Sequence, residues 1–205
     1  MVAPEPEVLV LASGNPGKLR EITALLGPLG FRVAPQSDWQ VSEAAETAPT
    51  FLENALIKAR HAAVHTGHAA LADDSGLVVP ALDGAPGVHS ARYSDGRPRD
   101  AANNAKLLGE MRDLKAGDRR AFFYCVLVML RAADDPEPLV ASARWWGEIL
   151  DAPRGTGGFG YDPLFYVPSE DRSSAELPAD LKNRLSHRGQ ALAKLVEKLR
   201  RSDGR

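Results

Sequence analysis

Two adjacent aspartates, Asp73 and Asp74, are the residues of this chain best suited to chemistry. They follow the apolar run 69–72 and precede Ser75 and Gly76, which predicts a strand that ends at a glycine turn. Neighbouring carboxylates repel each other and are costly to bury, so the pattern indicates compensation by a cation or by hydrogen-bond donors. Magnesium, which prefers oxygen ligands, is a suitable cation. The same residues are also typical of an ordinary surface turn, and both readings stay open at this point.

A second candidate is the segment 13–18, Ser-Gly-Asn-Pro-Gly-Lys (the first loop), between a predicted strand and a predicted helix. It is not a Walker A loop, because only two residues separate its glycines and leucine follows its lysine. Backbone amides at a helix start, with Ser13, Asn15 and Lys18, can nevertheless bind an anion. We therefore expect phosphate binding here rather than a merely structural turn.

A third candidate is the segment 155–162, Gly-Thr-Gly-Gly-Phe-Gly-Tyr-Asp (the glycine loop). Its glycines have the spacing of a dinucleotide fingerprint, but Pro163 and an extended apolar run follow instead of a helix, which excludes a Rossmann site. Phe159, Tyr161 and Asp162 could stack on a flat ring and accept hydrogen bonds from its edge. The alternative is that the aromatic side chains pack in the core.

The segment 182–189, Lys-Asn-Arg-Leu-Ser-His-Arg-Gly, concentrates cations just before the last predicted helix. Cations near a helix start oppose the helix dipole, so such a cluster favours a role in binding an anion or a polar ligand.

Strands and helices that alternate early in the chain, followed by long paired strands, must position these groups. The pattern predicts strands at 8–12, 31–34, 71–74, 77–79, 121–131 and 139–146 and helices at 19–29, 50–63, 101–111 and 192–199. Thr50 and Glu53 form a capping box at the start of the second helix. We predict an α/β (α+β) fold with a mixed β-sheet flanked by helices, a single domain over 1–205 with flexible tails at 1–7 and 201–205.

The composition excludes several classes of function. With 25 basic and 27 acidic side chains among 205 residues, the chain has no net positive charge that would attract nucleic acid or an anionic membrane. Cys125 lies in an apolar run and is expected to be buried rather than nucleophilic. No stretch approaches the roughly 20 apolar residues of a membrane span, and the first residues do not read as a secretory signal. We expect a cytoplasmic protein with a small-molecule substrate.

Taken in order, these segments resemble the inosine/xanthosine triphosphate pyrophosphatase family, and its bacterial dITP/XTP pyrophosphatase branch in particular. The resemblance runs from Val8 to about Leu199. It depends on six short segments: 13–18 with Glu21, 51–58, 72–77, 84–94, 155–163 and 186–192. It implies an elongated fold with two lobes and a central substrate cleft, and a homodimer.

The resemblance also assigns roles. It implies that Asp74 is the catalytic proton acceptor and a Mg²⁺ ligand, and that Glu46, or alternatively Glu43, is the second metal-side carboxylate. The substrate-binding residues that it implies are Ser13, Gly14, Asn15, Pro16, Gly17, Lys18, Ser75, Phe159, Gly160, Tyr161, Asp162, Lys182, His187 and Arg188.

The resulting hypothesis is magnesium-dependent hydrolysis of non-standard purine nucleoside triphosphates (dITP, ITP, XTP) to the monophosphate and pyrophosphate, which removes them from the nucleotide pool. His187 and Arg188 can donate to the 6-keto oxygen of such a purine but cannot favour the amino group of adenine equally. The alternatives are a non-catalytic nucleotide-binding regulator, a kinase, and a pyrophosphatase for modified pyrimidines.

Overall fold

The computed structural model describes residues 7–96, 99–114 and 116–202. The strands are β1 Glu7–Leu11, β2 Phe31–Pro35, β3 Ala69–Val78, β4 Arg120–Leu130, β5 Leu139–Ile149, β6 Phe165–Val167 and β7 Arg172–Ser173. The α-helices are α1 Pro16–Leu26, α2 Phe51–Thr66, α3 Asp100–Glu110, α4 Ala179–Leu185 and α5 His187–Ser202. Short 3₁₀ turns span Gly27–Leu29, Gln36–Trp39, Pro80–Leu82, Gly87–Arg92, Ala116–Arg119 and Ser174–Glu176. Residues 1–6 and 203–205 of the predicted tails lie outside the described residues.

The strands form one mixed sheet, in the order β2-β1-β3-β4-β5-β6-β7. β1 pairs in parallel with β2 and β3, whereas β6 pairs antiparallel with β5 and β7. The α/β class and the mixed sheet predicted from the sequence are confirmed, as is the adjacency of the two long strands β4 and β5. The short strand β7 and helix α4 were not predicted, because neither segment is long enough to show a hydrophobic period.

Capping residues fix the starts of the two helices that flank the early strands. The Asn15 side chain caps α1, and Pro16 opens that helix, where its missing amide hydrogen costs nothing. Thr50 caps α2 by accepting from the Glu53 amide, so the predicted N-cap is confirmed. Gly67 ends α2 in the left-handed conformation, with φ 68°.

The predicted glycine turn after Asp74 is wrong. β3 runs without interruption from Ala69 to Val78 and carries both aspartates within it. Gly76 is needed here for close packing rather than for a turn, because a Cβ at this position would collide with Ser90 Oγ and the Gly87 carbonyl. Successive residues of a strand point to opposite faces, so Asp73 and Asp74 face different neighbours.

Chain contacts divide the molecule into two compact units. Among the described residues, the first consists of 7–74, 126–142 and 188–202, and the second of 75–96, 99–114, 116–125 and 143–187. Apolar side chains of β1, α1, α2 and β3, among them Leu9, Ile22 and Leu71, are fully buried in the first unit. The core of the second unit is more aromatic and includes Phe123, Trp145 and Phe165. The predicted cleft between two lobes stays a prediction.

Cys125 is buried within β4, as predicted. Across the described residues, none of the helices combines the length and the apolarity that a membrane crossing requires.

Candidate active site

A buried lysine joins the two carboxylates that the sequence proposes as metal ligands. Lys58 Nζ lies 2.6 Å from Asp74 Oδ1 and 2.8 Å from Glu46 Oε1. Lys58 comes from the third turn of α2, Asp74 from β3, and Glu46 from the loop before α2. Glu43, the alternative to Glu46, points elsewhere and accepts from the Gly14 amide at 2.8 Å. Glu46 and Asp74 are therefore the carboxylates that share one cation (the carboxylate pair).

Burial changes the proton affinity of this group. It raises the pKa of Asp74 above its ordinary value, although the Lys58 ammonium opposes this shift. Burial alone would lower the pKa of Lys58, but the charges of Asp74 and Glu46 together raise it. The lysine therefore stays protonated, while the Asp74 carboxylate holds a proton more readily than an exposed aspartate does.

Asp73 lies on the opposite face of β3 and holds two other cations. Its carboxylate is fully buried, with Oδ1 2.7 Å from Lys18 Nζ and Oδ2 2.6 Å from Arg188 Nε. A second nitrogen of Arg188 pairs with Glu21. Burial would raise the pKa of Asp73, yet the charges of Arg188 and Lys18 hold it well below its usual range. Asp73 thus binds two residues that the sequence proposes as substrate ligands.

The first loop is held by hydrogen bonds of its own. Asn15 Oδ1 accepts from the amides of Gly17 and Lys18, and Ser13 Oγ accepts from the amide of Asn15. The Ser13 amide donates to the Leu11 carbonyl, and the Gly14 amide donates to the carboxylate of Glu43, whose side chain is exposed. An anionic group therefore already binds this loop at Gly14, in the way that a phosphate oxygen would.

The glycine loop uses its acidic residue internally. Asp162 is buried and accepts from the Phe159 amide, Ser174 Oγ and Lys182 Nζ, at 2.9, 2.8 and 2.7 Å. Lys182 in turn lies over the Phe159 ring, 5.1 Å from its centroid. Asp162 and Lys182 thereby fix the backbone and the ring of Phe159, which is only partly buried.

The aromatic residues of the glycine loop were expected either to stack on a ligand or to pack in the core. In the structure, each of these two interpretations applies to a different residue. Tyr161 is 3% exposed, and its hydroxyl donates to the Ser90 carbonyl, so it is part of the core. Phe159 remains the ring that can stack on a ligand. His187 is also buried and stacks on Phe123, with ring centroids 4.8 Å apart and planes 12° apart.

Known proteins share both the sequence and the fold of this chain. A family model described as the Ham1 family matches residues 9–198. The chain belongs to the Ham1 family. It is 58% identical to a dITP/XTP pyrophosphatase of Bordetella parapertussis, over 94% of this chain and 91% of that protein. A dITP/XTP pyrophosphatase of Vibrio cholerae is 55% identical, over 92% of this chain and 94% of that one.

Solved structures of Ham1 proteins superimpose closely. The HAM1 protein of Coxiella burnetii matches with a TM-score of 0.87 and 48% identity, covering 95% of this chain and 99% of its own. The Ham1 protein of Staphylococcus aureus matches with a TM-score of 0.84 and 38% identity, covering 96% and 100%.

In this Ham1 chain, Lys58 contributes to the site although its role was not predicted from the sequence. It lies in the segment 51–58, which the resemblance included, but no role was assigned to it there. A signal was present, since Ala55, Ala59 and Ala62 mark the buried face of the helix and Lys58 falls within that face. A lysine on a buried face needs a carboxylate partner.

The donor set suits magnesium. Among the described residues, no three His, Cys, Asp or Glu side chains come together as a potential metal site. The carboxylate pair offers two oxygen ligands that already stabilise one positive charge at Lys58 Nζ. Magnesium commonly uses one or two carboxylates, with the substrate phosphates and water as its other ligands. The pair therefore fits a metal that arrives with a nucleotide.

Proposed function

We propose that the protein hydrolyses non-standard purine nucleoside triphosphates, such as dITP, ITP and XTP, to the monophosphate and pyrophosphate, with magnesium as cofactor. The observation that carries this proposal is the buried Asp74 carboxylate, paired with Glu46 across Lys58. The dITP/XTP pyrophosphatase activity named for relatives at more than half identity supports it. The substrate would be met in the cytoplasm, where nucleotides are made and used.

In this mechanism Asp74 orients a water molecule and accepts its proton as the water attacks phosphorus. A base works best when its pKa lies near the working pH, and burial shifts Asp74 in that direction. Lys58 keeps the carboxylate pair together despite the like charges of its members. Asp74 and Glu46 would hold magnesium, which supplies positive charge to the phosphate oxygens.

The cations around Asp73 suit the phosphates. Lys18 is 14% exposed at its side chain, whereas its partner Asp73 is fully buried, so an incoming anion would meet Lys18 rather than Asp73. Arg188 is buried between Asp73 and Glu21. Charge developing on the departing pyrophosphate would be stabilised by Lys18, since a prearranged cation need not reorient during the reaction.

The purine would be bound by residues of the second unit. We propose that the base stacks on Phe159, whose ring and amide are fixed by Lys182 and Asp162. Asp162 then shapes the loop rather than contacting the base. His187 is the proposed donor to the 6-keto oxygen, with a ring plane set by stacking on Phe123.

Incubation with ITP, XTP, dITP, GTP and ATP, with and without magnesium, tests the function directly. We expect magnesium-dependent release of pyrophosphate, fastest for the three non-standard purines. Chromatography that resolves pyrophosphate from orthophosphate gives the readout. Orthophosphate as the first product, or equal rates with ATP and ITP, would exclude the proposal, and nucleotide binding without turnover would indicate a regulator instead.

Glu43 should compete with the substrate, because it occupies the Gly14 amide that a phosphate would use. Glu43→Gln removes this negative charge, and we expect the KM for ITP to fall about threefold with kcat unchanged, as is usual for an exposed charge contact. Steady-state kinetics at low ionic strength measures the change. Asp38→Asn, in the turn Gln36–Trp39, is the control. A KM that rises would show that Glu43 assists binding.

We also propose that the protein is a homodimer that uses the outer face of β4 and β5. Arg144, Trp146 and Glu148 are exposed in alternation on β5, and Phe122 packs on Trp146 with ring centroids 4.5 Å apart. Arginine and glutamate lie symmetrically about the tryptophan. A twofold axis at Trp146 would therefore place Arg144 of one copy opposite Glu148 of the other.

Trp146→Glu should convert the dimer to a monomer, because it puts a charge at the centre of the apolar contact. Light scattering after size-exclusion chromatography gives the mass. Val64→Glu, at an apolar side chain of α2 that is 63% exposed, is the matched control and should leave the mass unchanged. A Trp146→Glu protein that is still dimeric would place the interface elsewhere.

A further inference from the structure

Two polar residues of α3, one helical turn apart, both bind the backbone of Gly160 in the glycine loop. Asp100 Oδ2 accepts from the Gly160 amide at 2.7 Å. Asn104 Nδ2 donates to the Gly160 carbonyl at 3.1 Å. All three residues belong to the second unit. One helix face thus holds the donor and the acceptor of a single loop residue.

Gly160 is the loop residue for which such a restraint matters most. Its φ of 62° lies in the left-handed region, which glycine enters freely but does not prefer strongly over other conformations. A Cβ at this position would meet nothing within 4 Å, so no close contact requires a glycine there. The two hydrogen bonds from α3 hold the peptide groups on either side of Gly160, next to Phe159, and the Asp162 amide adds a bond to the Phe159 carbonyl.

Asn104 makes this bond at a cost. Its Oδ1 is buried and has no hydrogen-bond partner among the described residues. A buried acceptor without a partner is unfavourable, and folded proteins contain few of them. Turning the amide over would place the oxygen against the Gly160 carbonyl. The observed orientation is thus the one that holds the loop.

Asp100 has a structural alternative. It lies in the first turn of α3, where any aspartate stabilises the helix through the dipole. Its carboxylate, however, is directed to a residue sixty positions away along the chain rather than to the amides of its own helix. Asp100 therefore acts on the glycine loop as well as on the helix.

We propose that Asp100 and Asn104 are positioning residues that set the glycine loop for the purine and so determine its selectivity for the base. The inference depends on the proposed pyrophosphatase function, since it takes Phe159 as the stacking partner of the base. Neither residue touches the substrate. Their effect is transmitted through Gly160, and it should appear in binding and selectivity rather than in the chemical step.

The test compares Asp100→Ala and Asn104→Ala with the conservative variant Asp100→Asn. We expect each alanine variant to raise the KM for ITP about tenfold and to leave kcat within about twofold, because one fixed hydrogen bond contributes about that factor. The preference for ITP over ATP should fall by a similar factor. Asp100→Asn keeps an acceptor for the Gly160 amide and should recover most of the wild-type KM.

A second measurement does not depend on turnover. The Kd for inosine monophosphate, measured by calorimetry in the absence of metal, should rise in parallel with the KM. Lys106→Ala is the control on the same helix, because the Lys106 ammonium donates to the Tyr93 carbonyl and pairs with Glu110. Thermal melting of each variant separates a loss of fold from a loss of loop position.

Wild-type KM, selectivity and Kd in both alanine variants would overturn the inference while leaving the pyrophosphatase activity intact. Equal loss of kcat for ITP and ATP, with an unchanged Kd for the monophosphate, would also overturn it. Failure of the wild-type protein to hydrolyse ITP to pyrophosphate would instead contradict the proposed function. The two failures are therefore distinguishable.

Discussion

Asp74→Asn is expected to lower kcat for ITP by about three orders of magnitude, because the variant keeps the shape of the side chain but can neither accept a proton nor offer magnesium a negative ligand. The KM should rise as well, since magnesium that arrives with ITP loses one of its two carboxylate ligands, while Lys18 and the first loop keep their contacts for the phosphates. Pyrophosphate release under saturating ITP and magnesium measures the loss. A kcat near the wild-type value would show that a residue other than Asp74 is the catalytic base.

Asp134→Asn is the matched control, since it makes the same change on an exposed side chain in the connection 131–138.

The pH profile of the wild type gives a second test of Asp74 as the base. Because burial raises the pKa of Asp74, the acid side of the kcat/KM profile should fall off above pH 3.8, the ordinary value for aspartate. A profile whose acid side falls only below that value would contradict the assignment of Asp74 as the base.

The order of most strands and helices was predictable, because the sequence patterns that mark them lie within short segments of the chain. Asn15 and Thr50 cap helices in the structure as their positions in the sequence indicate. Short apolar runs became strands within a residue or two of their predicted ends, as for β2 and β4. Caps and hydrophobic periods act over one or two turns of chain, so they can be read without knowledge of the fold.

The resemblance singled out Asp74 as the catalytic residue, but the partners of Asp73 and Asp74 were not predictable from the sequence. The sequence places the two residues side by side, and the Ser-Gly that follows suggested a turn. Only the continuous strand β3 directs them to opposite faces, one toward Lys58 and the other toward Lys18 and Arg188. The residues that pair with the two aspartates are distant from them in sequence, so no local sequence pattern predicts these pairs.

The positions of the aromatic side chains in the glycine loop were likewise not predictable from the sequence. The composition of this loop allowed both Phe159 and Tyr161 to face a ligand. The structure buries Tyr161, whose hydroxyl finds the Ser90 carbonyl, and leaves Phe159 partly exposed under Lys182. Which ring is buried depends on how the other segments of the core pack around it, and the loop sequence alone does not contain that information.

Asp73→Asn should be the most destabilising of the substitutions considered. The side chain is fully buried and compensates two cations, so its neutral replacement leaves Lys18 and Arg188 without that charge. Removing one partner of a buried ion pair costs about 3 kcal/mol or more. For a chain of this length, such a loss lowers Tm by about 6 to 12 °C. Urea unfolding at neutral pH measures the difference in the free energy of unfolding between the wild type and Asp73→Asn. Asp180→Asn, which removes a charge from an exposed pair with Arg184, is the control and should lower the free energy of unfolding only slightly.

The pH dependence of this difference distinguishes a lost charge from a lost hydrogen bond. The pKa of Asp73 is depressed in the folded protein, so the stabilisation from its charge is fully present above pH 3.8, the ordinary value for aspartate. It is lost as the pH falls from that value through the depressed folded-state pKa. The free energies of unfolding of the wild type and Asp73→Asn should therefore differ by a constant amount near neutrality and converge only in acid. A difference that persists unchanged in acid would assign the effect to packing and geometry rather than to the charge that holds Lys18 and Arg188.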